Sequence, residues 1–219
     1  MSDDCGKALR ADAERNRQRL LVAAREVFAE RGLDVPIEEV ARHAGVGVAT
    51  LYRRFPSRAD LIAGAFEAKM AGYADAAAEA LAEPDPWVGF CRYVEQVCAM
   101  QAEDRAFANV LTMTFPLAKR LEADRARAYH DYVELIDRAK AAGRLRADFS
   151  PEDLVMMLMA NAGVVSCTTG AAPDAWRRLV AYLIQAFAAP GAAALPPAPS
   201  PQAMYRALLR LQHPSPRKE

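Results

Sequence analysis

Apolar residues return every three or four positions along almost the whole chain, a period that dictates helices rather than strands. Recognisable stops and starts cut this pattern into segments. A first helix is predicted from about Arg15 to Arg31, with Leu20, Leu21, Ala24, Val27 and Phe28 on one face and Gly32 ending it. A second begins behind Asp34, with Pro36 near its first position, and ends at Gly45. A short third covers roughly Gly47 to Phe55. Ser57-Arg58-Ala59-Asp60 reads as a capping box opening a fourth helix to about Leu81. Glu83-Pro84-Asp85-Pro86 forms a linker. Beyond it, Trp87, Phe90, Cys91, Val94, Val97 and Cys98 mark a fifth helix, and Phe107, Val110, Leu111, Thr114 and Phe115 a sixth. A seventh carries Tyr129, Tyr132, Val133 and Ile136 and stops at Gly143. Ser150-Pro151-Glu152-Asp153 starts an eighth, and a ninth runs from about Asp174 to Ala188. The expected fold class is all-α, with about nine helices and room for a tenth over Gln202 to Gln212.

With 53% hydrophobic and 26% charged residues, the composition is that of a globular protein able to bury a sizeable core. No apolar run reaches the roughly 18 residues that span a bilayer, and the first 19 residues are polar and charged. The expectation is a cytoplasmic protein without signal peptide or membrane anchor. Cys5, Cys91, Cys98 and Cys167 make no CxxC pair; Cys91 and Cys98 stand about 10 Å apart along a helix, too far to bridge. Reduced, buried thiols are expected, with a redox switch as the alternative. His43, His130 and His213 share no metal-ligand spacing, so neither metal nor cofactor is expected.

The most informative stretch is Ile37 to Phe55. Two short helices crossing steeply need a small residue where they nearly touch, a Gly in the turn, and apolar locks. Val40 precedes Ala41, Gly45 follows four residues later, and Val46 and Leu51 supply the locks, with Phe55 as further core. Gly45 is free to take the positive φ such a turn demands. Net charge is zero over the chain, yet Arg15 to Arg58 holds nine arginines against five acidic residues, a local charge of +4.

The run Val46-Gly47-Val48-Ala49-Thr50-Leu51-Tyr52-Arg53-Arg54-Phe55-Pro56-Ser57-Arg58-Ala59-Asp60-Leu61 resembles the recognition-helix signature of the tetracycline-repressor (TetR) family, and Leu20 to Gly32 resembles its first helix. The resemblance covers about Arg15 to Tyr73; beyond that only the helical pattern continues. It implies a transcriptional regulator, most often a repressor in this family, acting as a homodimer on a pseudo-palindromic operator of double-stranded DNA and released by a small apolar or amphipathic effector. The expected organisation is a flexible leader (1–14), a helix-turn-helix DNA-binding domain (15–73), a helical effector-binding and dimerisation domain (74–189), and a Pro/Ala-rich spacer with a tail (190–219).

Physics and the resemblance together suggest roles. Gly47, Val48, Ala49 and Thr50 form the turn entering the major groove. Val48 and Ala49 can touch a thymine methyl but make no bidentate hydrogen bond, so Thr50, Arg53 or Arg54 must carry polar readout. Tyr52 matches the family's phosphate contact. Arg58, at the start of the fourth helix, with Arg42 and Arg15 or Arg17, are further phosphate candidates. Family members commonly place Thr or Ser where this chain has Val35-Pro36, so that hydroxyl contact has no counterpart here.

The ninth helix carries Trp176, Leu179, Val180, Leu183, Ile184 and Phe187 in one stripe, and the eighth is apolar nearly all round. By resemblance these two helices pair with their twofold mates, with Leu158, Val165, Trp176, Val180, Leu183, Ile184 and Phe187 as interface candidates; a core internal to one chain is the alternative. Phe90, Tyr93, Phe107, Met113 and Tyr129 could line an effector pocket or be plain core. Asn161, polar within an apolar run, is the candidate for a specific hydrogen bond or an interface lock. No nucleophile elbow, phosphate loop or HExxH motif points to an enzyme. A helical ligand-binding protein that has lost DNA binding is the remaining alternative, because Val48 and Ala49 are apolar.

Overall fold

The computed structural model describes residues 2–112, 118–191 and 193–212, with side chains for all of these but 2–11, 112 and 209–212. They form α1 (Ser2–Arg31), α2 (Ile37–Ala44), α3 (Val48–Arg54), α4 (Arg58–Ala82), α5 (Pro86–Glu103), α6 (Arg105–Thr112), α7 (Lys119–Ala141), α8 (Pro151–Thr168), α9 (Ala175–Phe187) and α10 (Pro201–Gln212). Among the described residues there is no strand, only an isolated antiparallel bridge between Leu145 and Ala188. The all-α architecture expected from the apolar period is present.

One boundary needs correction. The apolar pattern puts the first helix near Arg15, behind a flexible leader, but α1 begins at Ser2. Lys7, Ala8, Leu9, Arg10, Ala11, Ala13 and Glu14 all favour helix, and no Pro interrupts them. Apolar periodicity starts only at Leu20, so a pattern of burial could not reveal a helix set by propensity alone.

The chain divides into two compact units: residues up to Ala68, with a short stretch ending at Lys119, and the remainder from Lys69 onward. In the first unit, Leu20, Leu21, Ala24, Val27 and Phe28 of α1 are buried with Val40 and Ala41 of α2, Leu51 of α3 and Leu61, Ile62, Ala65 and Phe66 of α4. The Phe28 and Phe66 rings stack with centroids 6.4 Å apart. The predicted capping box at the start of α4 is complete. The Asp60 carboxylate accepts from the Ser57 N–H at 3.0 Å, and the Ser57 hydroxyl accepts from the Asp60 N–H at 3.1 Å. Gly64 is where α4 passes over its neighbours: a Cβ there would lie 3.1 Å from Phe55 and 3.2 Å from Leu21.

The second unit is built around α5, which packs against α6, α8 and α9. Its aromatic side chains gather into one cluster. Phe90 meets Phe149 edge-on at 5.4 Å, Phe187 meets Phe149 at 4.9 Å, and Tyr93 lies 5.4 Å from Tyr132. Two arginines close helix ends, where the last carbonyls lack partners. Arg125 donates to the carbonyls of Val110 (3.0 Å) and Leu111 (2.9 Å) at the end of α6, and Arg138 donates to Leu81 near the end of α4.

The Pro/Ala/Gly composition after α9 reads as a flexible or extended spacer. Among its described residues it is tied down. Arg146, 7% exposed, grips the Asp148 carboxylate with two hydrogen bonds (2.5 and 3.0 Å) and donates to the carbonyls of Ala186 (3.2 Å) and Ala193 (2.6 Å). Asp148 in turn accepts the Leu195 N–H at 3.0 Å. Beyond the strap, α10 packs on α8 with Met204 buried. The tail after Gln212 lies outside the described residues.

Candidate nucleic-acid interface

The turn between α2 and α3 follows from one glycine. Gly45 adopts φ +64°, the left-handed conformation that side-chain-bearing residues avoid, and the chain reverses there. Its N–H bonds to the Arg42 carbonyl at 3.2 Å, and the Val46 N–H reaches back to Ala41 at 3.0 Å. This pair of bonds is the Schellman arrangement that satisfies the last carbonyls of a helix. Gly47, with extended backbone, then starts α3. Leu51 and Phe55 are buried and hold α3 to the unit, leaving its other side in solvent.

That outer side carries the residues expected to meet DNA. Gly47, Val48, Ala49, Tyr52, Arg53 and Arg54 are exposed, and Thr50 is half-buried. Val48, at 41% exposed, is an apolar side chain held in water by its backbone, the placement a methyl-contacting residue needs. Arg53 and Arg54 make no ion pair or hydrogen bond among the described residues. The other candidates are engaged within the chain. Tyr52 donates its hydroxyl to Glu38 Oε1 at 2.7 Å. This bond holds the Glu38 carboxyl below the usual carboxylate range and raises the Tyr52 phenol above its own. Arg42 lies 3.5 Å from Glu39, which Arg31 also contacts, and Arg17 lies 3.6 Å from Glu14. Arg58 donates to the Leu33 carbonyl at 2.8 Å, so part of its work is to fix the start of α4 to the loop after α1.

The effector and interface candidates lie in the second unit. Phe90, Tyr93 and Phe107 are fully buried. Tyr129, by contrast, is 53% exposed; Met113 lies outside the described residues. Asn161 is buried and donates to Gln101 Oε1 at 2.9 Å and to the Cys98 carbonyl at 3.3 Å. Of the interface candidates, Leu158, Val165, Trp176 and Val180 are already buried by their own chain, and Phe187 belongs to its own aromatic cluster. Leu183 and Ile184 are half-buried. Periodicity marks an apolar stripe but not which chain covers it.

Sequence reasoning missed Glu38, Gln101, Arg125 and Arg146. Gln101 had a visible signal, since it falls on the stripe of Val94, Val97 and Cys98. The Tyr52–Glu38 contact joins two helices and has no spacing to betray it.

Helices α2 and α3 with their glycine turn make this chain a helix-turn-helix protein. Residues 20–65 match the family described as bacterial regulatory proteins, tetR family, and residues 85–186 match the SbtR-like transcriptional regulator C-terminal domain. The chain belongs to the TetR family of transcriptional regulators. It is similar to a helix-turn-helix transcriptional regulator of Staphylococcus aureus, 39% identical over 54 residues, which are 24% of this chain and 29% of that protein. The chain thus matches less than a third of that relative's length. Solved structures share the fold, two of them as follows. One is the FadR regulator of Bacillus subtilis in complex with stearoyl-CoA (16% identity, 76% of this chain and 96% of that one, TM-score 0.59). The other is the regulator PfmR of Thermus thermophilus (18% identity, 80% and 100%, TM-score 0.59). No helix of the described residues is long and apolar enough to cross a membrane.

Proposed function

We propose that this chain is a cytoplasmic repressor that binds a pseudo-palindromic operator as a homodimer and leaves it when a small apolar or amphipathic effector enters the helical unit. The observation that carries this reading is the outer face of α3, where exposed Val48 and Ala49 stand one turn before the unpaired Arg53 and Arg54. Apolar contacts to base edges and guanidinium contacts to phosphate or guanine are the two halves of groove recognition. Gly47, Thr50 and Tyr52 complete that face, and Arg17, Arg42 and Arg58 flank it as phosphate contacts.

A single short helix buries little surface, so duplication is part of the reading. The surface offered for it lies on α8, where Met156, Ala160, Gly163 and Cys167 recur at helical spacing and are all exposed. Half-buried Leu183 and Ile184 of α9 extend it. The effector reading rests on the core beneath. The Tyr132 hydroxyl, Gln101 Nε2 and Asn161 Oδ1 are buried without hydrogen-bond partners among the described residues. Orphaned polar atoms in an aromatic core are costly, and an amphipathic ligand relieves that cost by supplying partners. Phe90, Tyr93 and Phe107 would form the apolar wall of such a site.

A gel-shift assay of the purified chain against its own upstream region tests the reading. A discrete complex containing two chains supports it; no complex at low ionic strength overturns it.

A further inference from the structure

We infer that Glu38 is an internal stand-in for a DNA phosphate and limits the affinity of this surface for duplex DNA, an inference that rests on α2 and α3 being a duplex-binding surface. The Tyr52 hydroxyl donates to the Glu38 carboxylate at 2.7 Å, across the gap between the two helices. Glu38 lies in the first turn of α2, where backbone N–H groups favour a negative charge, and the Arg58 guanidinium attracts it from the start of α4. A hydroxyl donor, a guanidinium and a helix N-terminal turn are also what a phosphate oxygen would seek. In the free protein a carboxylate takes that place.

The consequence for binding follows from counting hydrogens. A tyrosine hydroxyl has one hydrogen to donate, so its bond to Glu38 and a bond to a phosphate exclude each other. When Tyr52 turns to DNA, Glu38 loses its donor and is left beside an incoming negative charge. Two like charges roughly 5 Å apart repel even in water, and more strongly where the duplex displaces it. Glu38 therefore opposes every phosphate contact through Tyr52, whatever the base sequence. Only a site that also rewards Val48, Ala49 and Thr50 with base contacts offsets the exchange, so the residue lowers affinity for indifferent DNA and raises discrimination.

The probe is a mixed-sequence 30-base-pair duplex at low ionic strength, read by fluorescence anisotropy with the full chain. Glu38→Gln keeps an acceptor for Tyr52 but removes the charge; it is expected to bind this duplex roughly three- to tenfold more tightly than the wild type. Glu134→Gln, an exposed position on α7, makes the same change in net charge in the other unit and is expected to leave the Kd unchanged. In a Tyr52→Phe background the gain from Glu38→Gln should shrink, because the exchange no longer takes place. Circular dichroism verifies that each variant is folded, and Glu38→Ala serves as a second test of the same charge. If the wild type binds while Glu38→Gln and Glu38→Ala bind no more tightly, or if Glu134→Gln gains as much, the inference is wrong while the DNA-binding reading stands. A wild type that does not bind the duplex overturns both.

Discussion

Arg53 and Arg54 end α3 side by side with no acid among the described residues to hold them, whereas Arg17, Arg31 and Arg42 are paired with Glu14 or Glu39 before any DNA arrives. An arginine already paired gains less from a phosphate, since it must give up one carboxylate for another anion. The unpaired pair should therefore dominate the electrostatic response. Replacing both by Ala is expected to weaken binding to a mixed-sequence duplex and to reduce the slope of log K against log salt by roughly 0.9 for each phosphate no longer neutralised. Anisotropy titrations at several salt concentrations measure this; an unchanged slope would place both side chains away from the backbone. Residue identity was legible here because the small-residue, glycine and apolar-lock spacing from Val40 to Leu51 fixes which side of α3 is free. Partnership was not. The Glu38–Tyr52 bond and the engagement of Arg58 with the Leu33 carbonyl depend on how helices cross, which no period in one sequence encodes.

Elements were legible wherever chemistry marks their ends. Gly45 with its positive φ, and the Ser57–Asp60 box, stand where their local signals put them. Elements set by propensity or by distant clamps were not. The start of α1 at Ser2 had no burial pattern, and the strap after α9 gave no hint that Arg146 and Asp148 would seize it. The Arg146 guanidinium, then the Leu195 N–H, hold the Asp148 carboxyl well below the usual carboxylate range. A group depressed in this way stabilises the folded state fully above its unfolded pKa of about 3.9, and the contribution fades as pH falls below that value. The protection factor of the Leu195 amide, with exchange corrected for its intrinsic pH dependence, is therefore expected to be high in the wild type near neutrality and to fall only below about pH 4. In Asp148→Ala, which leaves that amide no side-chain acceptor, it should be low near neutral pH as well. Equal protection in that variant near neutrality would mean the strap is held by something other than this carboxylate.

For the whole molecule, the proposal turns on duplication. Leu158, Val165, Trp176 and Val180 look like interface residues in the sequence because a monomer's core and a dimer's seam have the same periodicity; one chain already buries them, and half-buried Phe187 packs on Phe149. The proposed seam is the outer side of α8, extended by half-buried Leu183 and Ile184 of α9. Gly163 is the sharpest probe of it, since a Cβ added there meets no atom within 4 Å in the single chain. Gly163→Arg should leave the monomer's fold intact and yield monomers by light scattering, while a persistent dimer would move the seam elsewhere. Two recognition helices that read successive major grooves must lie about 34–36 Å apart, one turn of the duplex. The most direct measurement of that claim is a footprint of the purified wild-type chain on its upstream DNA at low ionic strength. The account predicts two protected half-sites one helical turn apart, occupied by two chains and lost as salt rises. A uniform absence of protection on that DNA, at protein concentrations where the chain is folded, would contradict it.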